Sequence, residues 1–340
     1  MKRFERVMLT GSAGFIGSHV ADSLLSQGHL VLGIDDFNDY YAPAMKRQNI
    51  AHHMENMAYT LAEGDIRDKG WIKKMMLEWK PTVIIHLAAR AGVRPSLEQA
   101  DLFAATNIVG TLNILEAAKH SCIKKLIFAS SSSVYGLNEK VPFGETDSLL
   151  RPASPYAATK IAGEALCHTY AHLYHIPTVA LRFFTVYGPR QRPDLAIRKF
   201  FEKIGRGEPI VLYGDGSSSR DYTYVDDIVQ GVMAAMNYEV EKYEVFNLGN
   251  SAPISLIRLV RAIEEVVGRK ANIIHQGDQP GDVPITYADI SKAQDLLGYN
   301  PATPLEAGLV KMYQHLWTNS FQSEEATWPE SSLLQGIASR

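Results

Sequence analysis

The order of strand-like and helix-like segments predicts an α/β protein: a doubly wound parallel sheet of the Rossmann type with a smaller C-terminal substrate domain. Up to residue 182, short apolar runs of strand length alternate with amphipathic stretches of helix length, a pattern typical of a parallel sheet covered by helices on both faces. The first strand–helix junction also carries three regularly spaced glycines, Gly11, Gly14 and Gly17. With 46% apolar and 21% charged residues in 340, the composition is that of an ordinary globular chain. The net charge of −3 gives no sign of nucleic acid or a membrane surface as a partner.

The glycines lie between a predicted strand at 6–10 and a helix, in the run Gly11-Ser12-Ala13-Gly14-Phe15-Ile16-Gly17. Glycine at these places permits a tight turn, lets the backbone approach a pyrophosphate and lets the helix pack closely on the sheet. The second strand, at 30–34, ends in Asp35. A carboxylate about 20 residues beyond the glycines suits the ribose hydroxyls of NAD and repels the 2′-phosphate of NADP. Although glycine turns before helices are common, this position in the chain favours an NAD site.

The alternation continues to a sixth strand. Residues 83–87 are a near-continuous apolar run, as expected of a strand buried on both faces, and His86 within it is interpreted as a hydrogen-bonded core histidine. The other predicted elements are strands at 59–61, 125–129 and 178–182, and helices at 69–79, at 101–119 and from Tyr156. Because parallel strands end at one edge of a sheet, residues that face a ligand should gather there. The residues at these strand ends are Asp35, Asp65, Ala88, Ala89, the serine run 130–133 and Phe183.

Tyr156 and Lys160 form a Y-x-x-x-K pair near the start of a predicted helix. Residues four apart lie on one face of a helix, one above the other. A cation beside a phenol stabilises the phenolate and lowers its pKa from about 10, which makes the tyrosine a usable base. Alone, the pair is more typical of a helix surface, so its interpretation as a catalytic pair depends on the neighbouring motifs.

Together these stretches resemble the extended short-chain dehydrogenase/reductase superfamily. The resemblance rests on the glycine run, the H-L-A-A at 86–89, the serines before V-Y-G at 134–136, the Y-x-x-x-K pair and R-D-Y-T-Y-V-D-D at 220–227, and it spans residues 4–317. It implies tightly bound NAD, a UDP- or dTDP-sugar substrate and the catalytic residues Ser131, Tyr156 and Lys160. The cofactor contacts that it implies are Gly11, Gly14, Phe15, Ile16, Gly17, Asp35, Asp65, Ile66, Leu87, Ala88, Ala89, Asn107, Ser130, Tyr156, Lys160 and Phe183.

Residues 35–46 and 182–194 resemble UDP-glucuronate 4-epimerases in particular. This resemblance implies conversion of UDP-glucuronate to UDP-galacturonate through a 4-keto intermediate, with Tyr156 as the base. The intermediate is a β-keto acid, which loses carbon dioxide when its carboxylate bond aligns with the carbonyl π system, so the enzyme must hold the carboxylate out of alignment. Ser132, Ser133, Thr185 and Arg192 are the candidates for that task, and Arg220, Tyr213 and Asp282 are further expected substrate contacts.

Other activities found on the same fold differ in the residues that they require. The related UDP-glucuronate decarboxylases and sugar 4,6-dehydratases typically carry an acid directly before V-Y-G, where this chain has Ser133. A UDP-glucose (UDP-galactose) or UDP-N-acetylhexosamine 4-epimerase uses the same Ser131, Tyr156 and Lys160 and stays open. A non-catalytic NAD-binding regulator is disfavoured because such proteins commonly lose the Tyr–Lys pair.

The stretch from 182 to 206 is rich in basic residues. It holds Arg182, Arg190, Arg192, Arg198, Lys199, Lys203 and Arg206 against only Asp194 and Glu202. Arginine binds diphosphates and carboxylates through its forked donors, so we expect this stretch to receive an anion.

The remaining expectations concern organisation. We expect an NAD-binding domain at 1–182 plus about 224–250, a UDP-sugar-binding domain at 183–223 and 251–317, and a loose polar tail at 318–340. Cys122 and Cys167 have no metal-ligand spacing, the run at 6–10 is too short for the apolar core of a signal peptide, and no apolar run reaches about 18 residues. We therefore expect a cytoplasmic protein with no metal site and no membrane contact. The resemblance implies a homodimer that packs through the helices at 101–119 and 154–174.

Overall fold

A computed structural model describes residues 4–277 and 283–320, with side chains as far as residue 318. The strands are β1 (Arg6–Thr10), β2 (Leu30–Asp35), β3 (Tyr59–Glu63), β4 (Val83–His86), β5 (Lys125–Ser131), β6 (Thr178–Phe183), β7 (Thr185–Tyr187), β8 (Ile210–Tyr213), β9 (Ser219–Tyr224), β10 (Tyr243–Leu248), β11 (Pro253–Ser255), β12 (Ile273–Gln276) and β13 (Ile285–Thr286). The helices are α1 (Phe15–Ser26), α2 (Pro43–Ile50), α3 (Lys69–Trp79), α4 (Val93–Glu98), α5 (Ala100–Ala104), α6 (Thr111–Ala118), α7 (Pro155–Tyr174), α8 (Ala196–Arg206), α9 (Val225–Asn237), α10 (Leu256–Val267), α11 (Ser291–Leu297) and α12 (Leu305–Ser320).

Seven strands form a central parallel sheet in the order β10, β6, β5, β4, β1, β2, β3. Its middle strand β1 is covered on both faces. Val7 and Leu9 pack into one apolar cluster together with Ile85, whereas Met8 between them packs into a second cluster with Ile84. Alternate residues of a strand point to opposite faces, so helices cover both sides of the sheet. The predicted doubly wound α/β fold is confirmed.

Helix α7 begins at the predicted place and carries the Tyr–Lys pair. Ser154 caps it, because its hydroxyl accepts the N–H of Ala157 at 3.1 Å, and Pro155 occupies the first helical position. Both features satisfy or replace backbone donors that a helix start leaves unpaired. Tyr156 therefore lies in the first turn, next to the end of β5.

Two predicted segments differ from the structure. The helix expected at 101–119 consists of α5, a π-helical segment at Ala105–Gly110 and α6. The wide turn contains the buried Asn107, whose amide bonds the loop after β4. The predicted start of the tail at residue 318 lies within α12, which extends to Ser320. Residues 321–340 lie outside the described ranges.

The remaining strands form two small sheets beside the C-terminal edge of the central one. In the first, β9 pairs with β7, β11 and β13, and in the second β8 pairs with β12 in parallel. Helices α8, α10 and α12 pack around them through buried side chains such as Phe201, Ile263 and Tyr313, which belong to the same apolar cluster as one face of the central sheet. None of the helices in the described ranges combines the length and apolar character of a membrane crossing.

Candidate active site

A cleft of about 340 Å³ runs along the edge where the strands of the central sheet end. Gly11 enters it after β1, Asp35 at the end of β2 and Leu87 after β4. Ser131 and Phe183 enter it at the ends of β5 and β6. The sequence-based expectation that these strand ends share one site therefore agrees with the geometry.

The turn after β1 accepts only glycine at two of its positions. Gly11 has a φ of +71°, and a Cβ there would lie 2.8 Å from the backbone nitrogen of Ala88. A Cβ on Gly17 would lie 2.0 Å from the carbonyl oxygen of Gly11. The glycines thus let α1 pack directly on the turn and leave its backbone bare toward the cleft, as a pyrophosphate at a helix N-terminus requires.

Asp35 presents a fixed carboxylate at the same end of the cleft. Its two oxygens accept the backbone N–H groups of Ala13 at 3.1 Å and Phe37 at 3.0 Å. Burial raises the pKa of this carboxyl, while the nearby Lys46 ammonium acts in the opposite direction. A bare glycine turn beside a fixed carboxylate fits the pyrophosphate and ribose of a dinucleotide such as NAD.

Tyr156, Ser131 and Lys160 lie together at the other end of the cleft. All three are buried, and the Ser131 hydroxyl is close enough to the Tyr156 phenol to lower its pKa as a hydrogen-bond partner. The Lys160 ammonium donates to the carbonyl oxygen of Ala129 at 2.7 Å and lies 6.0 Å from the centre of the tyrosine ring. The hydroxyl oxygens of Ser131 and Ser133 lie 3.2 Å apart, and the Ser131 hydroxyl accepts the backbone N–H of Ser133 at 3.2 Å.

The charges around Tyr156 differ from the sequence-based expectation. Burial raises the pKa of the phenol, and the influences that lower it are the Ser131 hydrogen bond and the positive charge of Arg192. Lys160 was expected to supply the lowering, but it is directed at Ala129, and burial lowers its own pKa to about 8. The role expected of Lys160 therefore stays a prediction.

Arg192 lies on the loop after β7, where it lines the cleft near Tyr156. Its Nε and Nη2 donate to the two carboxylate oxygens of Asp194, both at 2.9 Å, and Nη2 also donates to the carbonyl oxygen of Ala91 at 3.2 Å. The guanidinium stacks on the ring of Tyr40, 5.4 Å from its centre. A nearly buried cation thus faces the cleft with an anion already bound to it.

The expected anion-receiving stretch at 182–206 is largely neutralised within the chain. Five of its arginines form ion pairs: Arg182 with Glu164, Arg190 with Asp22, Arg192 with Asp194, Arg198 with Glu202 and Arg206 with Glu208. The prediction counted only acids within the stretch, whereas Glu164 and Asp22 come from α7 and α1, so that an anion is received there stays a prediction. Of these arginines, Arg192 alone lines the cleft in the described part of the chain.

Most of the predicted site residues meet in the cleft. The lining contains Gly11, Gly14, Phe15, Ile16, Gly17, Asp35, Ile66, Leu87, Ala88, Ala89, Ser130, Ser131, Tyr156, Lys160, Phe183, Thr185 and Arg192. Asp65, Asn107, Ser132, Ser133, Tyr213 and Arg220 are not part of it, and Asp282 lies outside the described residues.

The side chains of the residues outside the lining have other partners. Asp65 bonds Arg67 at 2.5 Å, and Asn107 bonds the backbone of Arg90 and the Thr159 hydroxyl. The Tyr213 ring packs under the Arg94 guanidinium at 4.6 Å. Arg220 donates to the carbonyl oxygen of Ser219 at 2.9 Å.

Several cleft residues were not assigned to the site from the sequence. Tyr40 and Lys46 belong to the stretch that carried the resemblance at 35–46, which was the available signal. Arg90 and Thr106 also line the cleft, and neither belongs to a motif. His86 is outside the site, as predicted: its ring nitrogens lie 2.7 Å and 3.0 Å from the hydroxyls of Thr10 and Thr111, and burial lowers its pKa to about 3.

A parallel sheet with a bare glycine turn at one end of a cleft, and a Ser–Tyr pair with a buried lysine at the other, defines a short-chain dehydrogenase/reductase site. A family model described as GDP-mannose 4,6 dehydratase matches residues 8–312. The chain belongs to this family, and the predicted extended short-chain dehydrogenase/reductase relationship is confirmed.

The chain is similar to several nucleotide-sugar epimerases in sequence and in structure. UDP-glucuronate 4-epimerase 4 of Arabidopsis thaliana is 43% identical over 335 residues, which cover 93% of this chain and 76% of that protein. The crystal structure of UDP-glucuronic acid 4-epimerase from Bacillus cereus with UDP-glucuronic acid and NAD is 38% identical, with a TM-score of 0.88, and the match covers 92% of this chain and 99% of that one. UDP-glucose 4-epimerase from Thermotoga maritima with UDP-glucose is 33% identical, with a TM-score of 0.85 over 93% of this chain and 99% of that one.

Proposed function

We propose that this protein is an NAD-dependent 4-epimerase of UDP-sugars that interconverts UDP-glucuronate and UDP-galacturonate. The observation that carries the proposal is that Ser131, Tyr156 and Arg192 line one end of a cleft whose other end is the glycine turn. The relatives from Arabidopsis thaliana and Bacillus cereus, both named for this activity, support the choice of sugar.

The acidic residues of the cleft favour epimerisation over dehydration or decarboxylation. Among the described residues, the carboxylates that line it are Asp35 and Asp36, both at the β2 end and far along the chain from Tyr156. Asp194 is close to the catalytic end but is bound by Arg192. With Ser133 before V-Y-G, the described residues place no free carboxylic acid at the catalytic end to protonate a leaving hydroxyl, which a 4,6-dehydratase needs.

The residues of the chain divide the work of proton transfer. Tyr156 acts as the phenolate, which takes the proton of the sugar 4-hydroxyl and becomes the neutral phenol. Ser131 donates a hydrogen bond that stabilises the phenolate before this transfer. The positive charge of Arg192 acts in the same direction. Lys160, on the same helix face, joins α7 to β5 through its hydrogen bond to the carbonyl oxygen of Ala129.

The glycine turn, Asp35 and Phe183 would hold NAD in the cleft. The chemistry supplied by bound NAD is reversible hydride acceptance at C4 of the sugar, with no net oxidation. The proton on Tyr156 returns to the 4-oxygen after the ketone has turned its other face, so the base is regenerated in each cycle.

The uronate carboxylate is held by Arg192 in this proposal. Nη1 of the guanidinium takes no part in the two bonds to Asp194 or in the bond to Ala91, and a charge-assisted bond from it would hold the carboxylate at a fixed angle. Thr185 lines the same end of the cleft and offers a hydroxyl. Keeping the carboxylate out of alignment with the 4-keto group prevents loss of carbon dioxide.

The Arg192–Asp194 pair also favours a second candidate function, 4-epimerisation of a neutral UDP-sugar. A guanidinium already paired with a carboxylate has little net charge, so it attracts an anionic sugar only weakly. In that case Arg192 and Asp194 act as one neutral hydrogen-bonding unit that faces the sugar hydroxyls.

Separate incubations with UDP-glucuronate, UDP-glucose and UDP-N-acetylglucosamine, followed by chromatography of the products, distinguish the two functions. Preferential conversion of UDP-glucuronate to UDP-galacturonate supports the main proposal. Preference for either neutral sugar supports the second function. Formation of a UDP-pentose or a 4-keto-6-deoxy sugar contradicts both.

A homodimer and a cytoplasmic location belong to the same proposal. The segments expected to pair between subunits, 101–119 and 154–174, are only partly free, because Leu115 is fully buried within the chain, while Val109, Leu173 and Tyr174 are exposed. Both cysteines are free thiols, as is usual in a reducing compartment. Light scattering that gives a monomer mass, or cell fractionation that finds the protein outside the cytoplasm, would contradict these statements.

A further inference from the structure

Two adjacent histidines and a carboxylate converge outside the cleft. His52 and His53, in a 3₁₀ turn at Ala51–Glu55 after α2, direct their Nε2 atoms at the same Oδ1 of Asp22, at 2.7 Å and 2.5 Å. The three ligand atoms lie within 4.8 Å of one another. Such a spacing suits ions that bind imidazole and carboxylate at about 2.0–2.2 Å.

The other oxygen of Asp22 is bound by a different segment. Oδ2 accepts a hydrogen bond from Nη1 of Arg190 at 2.7 Å, and His19 contacts the carbonyl oxygen of the neighbouring Pro189 at 3.0 Å. Oδ2 of Asp22 is therefore occupied by Arg190, whereas Oδ1, at which both histidines are directed, is the oxygen available as a ligand.

His53 lacks the second partner that a buried histidine normally has. Its side chain is only 2% exposed, and its Nδ1 is buried without a hydrogen-bond partner among the described residues. An unpaired buried ring nitrogen is costly. With a metal at Nε2 the ring proton lies on Nδ1, so this nitrogen stays unpaired and the metal bond must outweigh that cost. His52 is half exposed, which gives an ion a path from solvent.

We propose that Asp22, His52 and His53 form a site for a divalent transition-metal ion with a preference for imidazole, zinc first. The ion replaces the two N–H···O hydrogen bonds: each ring presents an unprotonated Nε2 and retreats from Oδ1 by roughly 0.7 Å, the difference between a hydrogen bond and the ligand spacing of tetrahedral zinc. Water takes the open position. Softness and geometry favour zinc over magnesium or calcium, which prefer oxygen ligands.

The location gives the site a structural role. It joins α1 to the segment after α2, and through Arg190 it contacts the loop that carries Arg192 into the cleft. Zinc at Asp22 therefore fastens elements that border the cleft without contributing to the chemistry. Because the metal ligands line no part of the cleft, the inference does not depend on the proposed function.

Zinc titration of tag-free, chelator-treated protein tests the proposal, with calorimetry for affinity and elemental analysis for stoichiometry. We expect one zinc per chain and a higher midpoint of thermal unfolding with zinc. His52→Ala should weaken binding at least about tenfold, the scale on which even outer groups of a metal site act. Asp22→Asn should do the same, whereas Arg190→Gln keeps all three ligands and should not weaken it. His120→Ala, an exposed histidine elsewhere, is the matched control.

His52 is the main test position because its side chain is half exposed, so its replacement by alanine should not disturb folding. The metal-free variant should therefore unfold at the same midpoint temperature as the metal-free wild type. Failure of the wild type to take up one zinc per chain would show that the cluster is only a hydrogen-bonded network. Equal zinc affinity in the wild type and His52→Ala would overturn the assignment as well.

Discussion

Replacement of Arg192 by alanine tests how the protein recognises the sugar. The side chain is 17% exposed, so water screens its charge only weakly at the catalytic end of the cleft. A charge-assisted hydrogen bond contributes roughly 1.5–3 kcal/mol. If Nη1 binds the uronate carboxylate, Arg192→Ala should lower kcat/KM for UDP-glucuronate roughly 10- to 160-fold, and the loss for UDP-glucose should be much smaller.

The assay compares initial rates on both sugars and follows carbon dioxide release. Freed from Arg192, the carboxylate can rotate into line with the 4-keto group, so a UDP-pentose should accumulate. Arg206→Ala is the matched control, because that arginine is exposed and its ion pair with Glu208 is 4.0 Å long, and it should change neither rate. Asp194→Asn removes the competing anion and should increase the preference for the uronate.

Equal losses on both sugars, with no pentose formed, would refute this reasoning. Arg192 would then serve the protein through its bonds to Asp194 and Ala91 rather than through the substrate. The neutral-sugar function would become the better account of the cleft.

Three further predictions concern residues around the site. Tyr156→Phe should lower turnover by 10²-fold or more while the unfolding midpoint stays close to wild type, because only the proton-carrying oxygen is lost; activity within a few-fold of wild type would contradict the role of the phenol. Glu164→Gln should cost about 3–5 kcal/mol in chemical denaturation, since it leaves the guanidinium of Arg182 buried without its anion. Glu63→Gln, which removes an exposed ion pair, should have little effect. The wild-type free energy of unfolding should rise from about pH 8 toward pH 10.5, because burial lowers the pKa of folded Lys160 from 10.5 to about 8 and the unfolded chain then holds more protons. This rise in the free energy of unfolding should be smaller in Lys160→Met. The same dependence on pH in the variant and the wild type would contradict the prediction.

Local patterns predicted the fold and the frame of the site. The glycine turn, the buried run of β4 and the capped start of α7 each depend on residues close together in sequence, and strand order then places their ends at one edge. These features were predictable because neighbouring residues determine them. The division into cofactor and sugar domains stays a prediction.

Side-chain partners from distant segments were not predictable in the same way. The basic stretch at 182–206 loses much of its charge to Glu164 and Asp22, which no spacing within the stretch reveals. Asn107 was expected to contact the cofactor, but its amide bonds the loop after β4 and Thr159. The pKa of Tyr156 depends on burial, which only the folded structure provides.

The most direct test of 4-epimerisation follows the hydrogen at C4. UDP-glucuronate that carries deuterium at C4 is incubated with the protein in ordinary water, without added NAD, and the product is analysed by NMR. Epimerisation by hydride removal and return predicts UDP-galacturonate that retains deuterium at C4. Product that has exchanged this deuterium for solvent hydrogen, or substrate that stays unchanged, would contradict the proposed function.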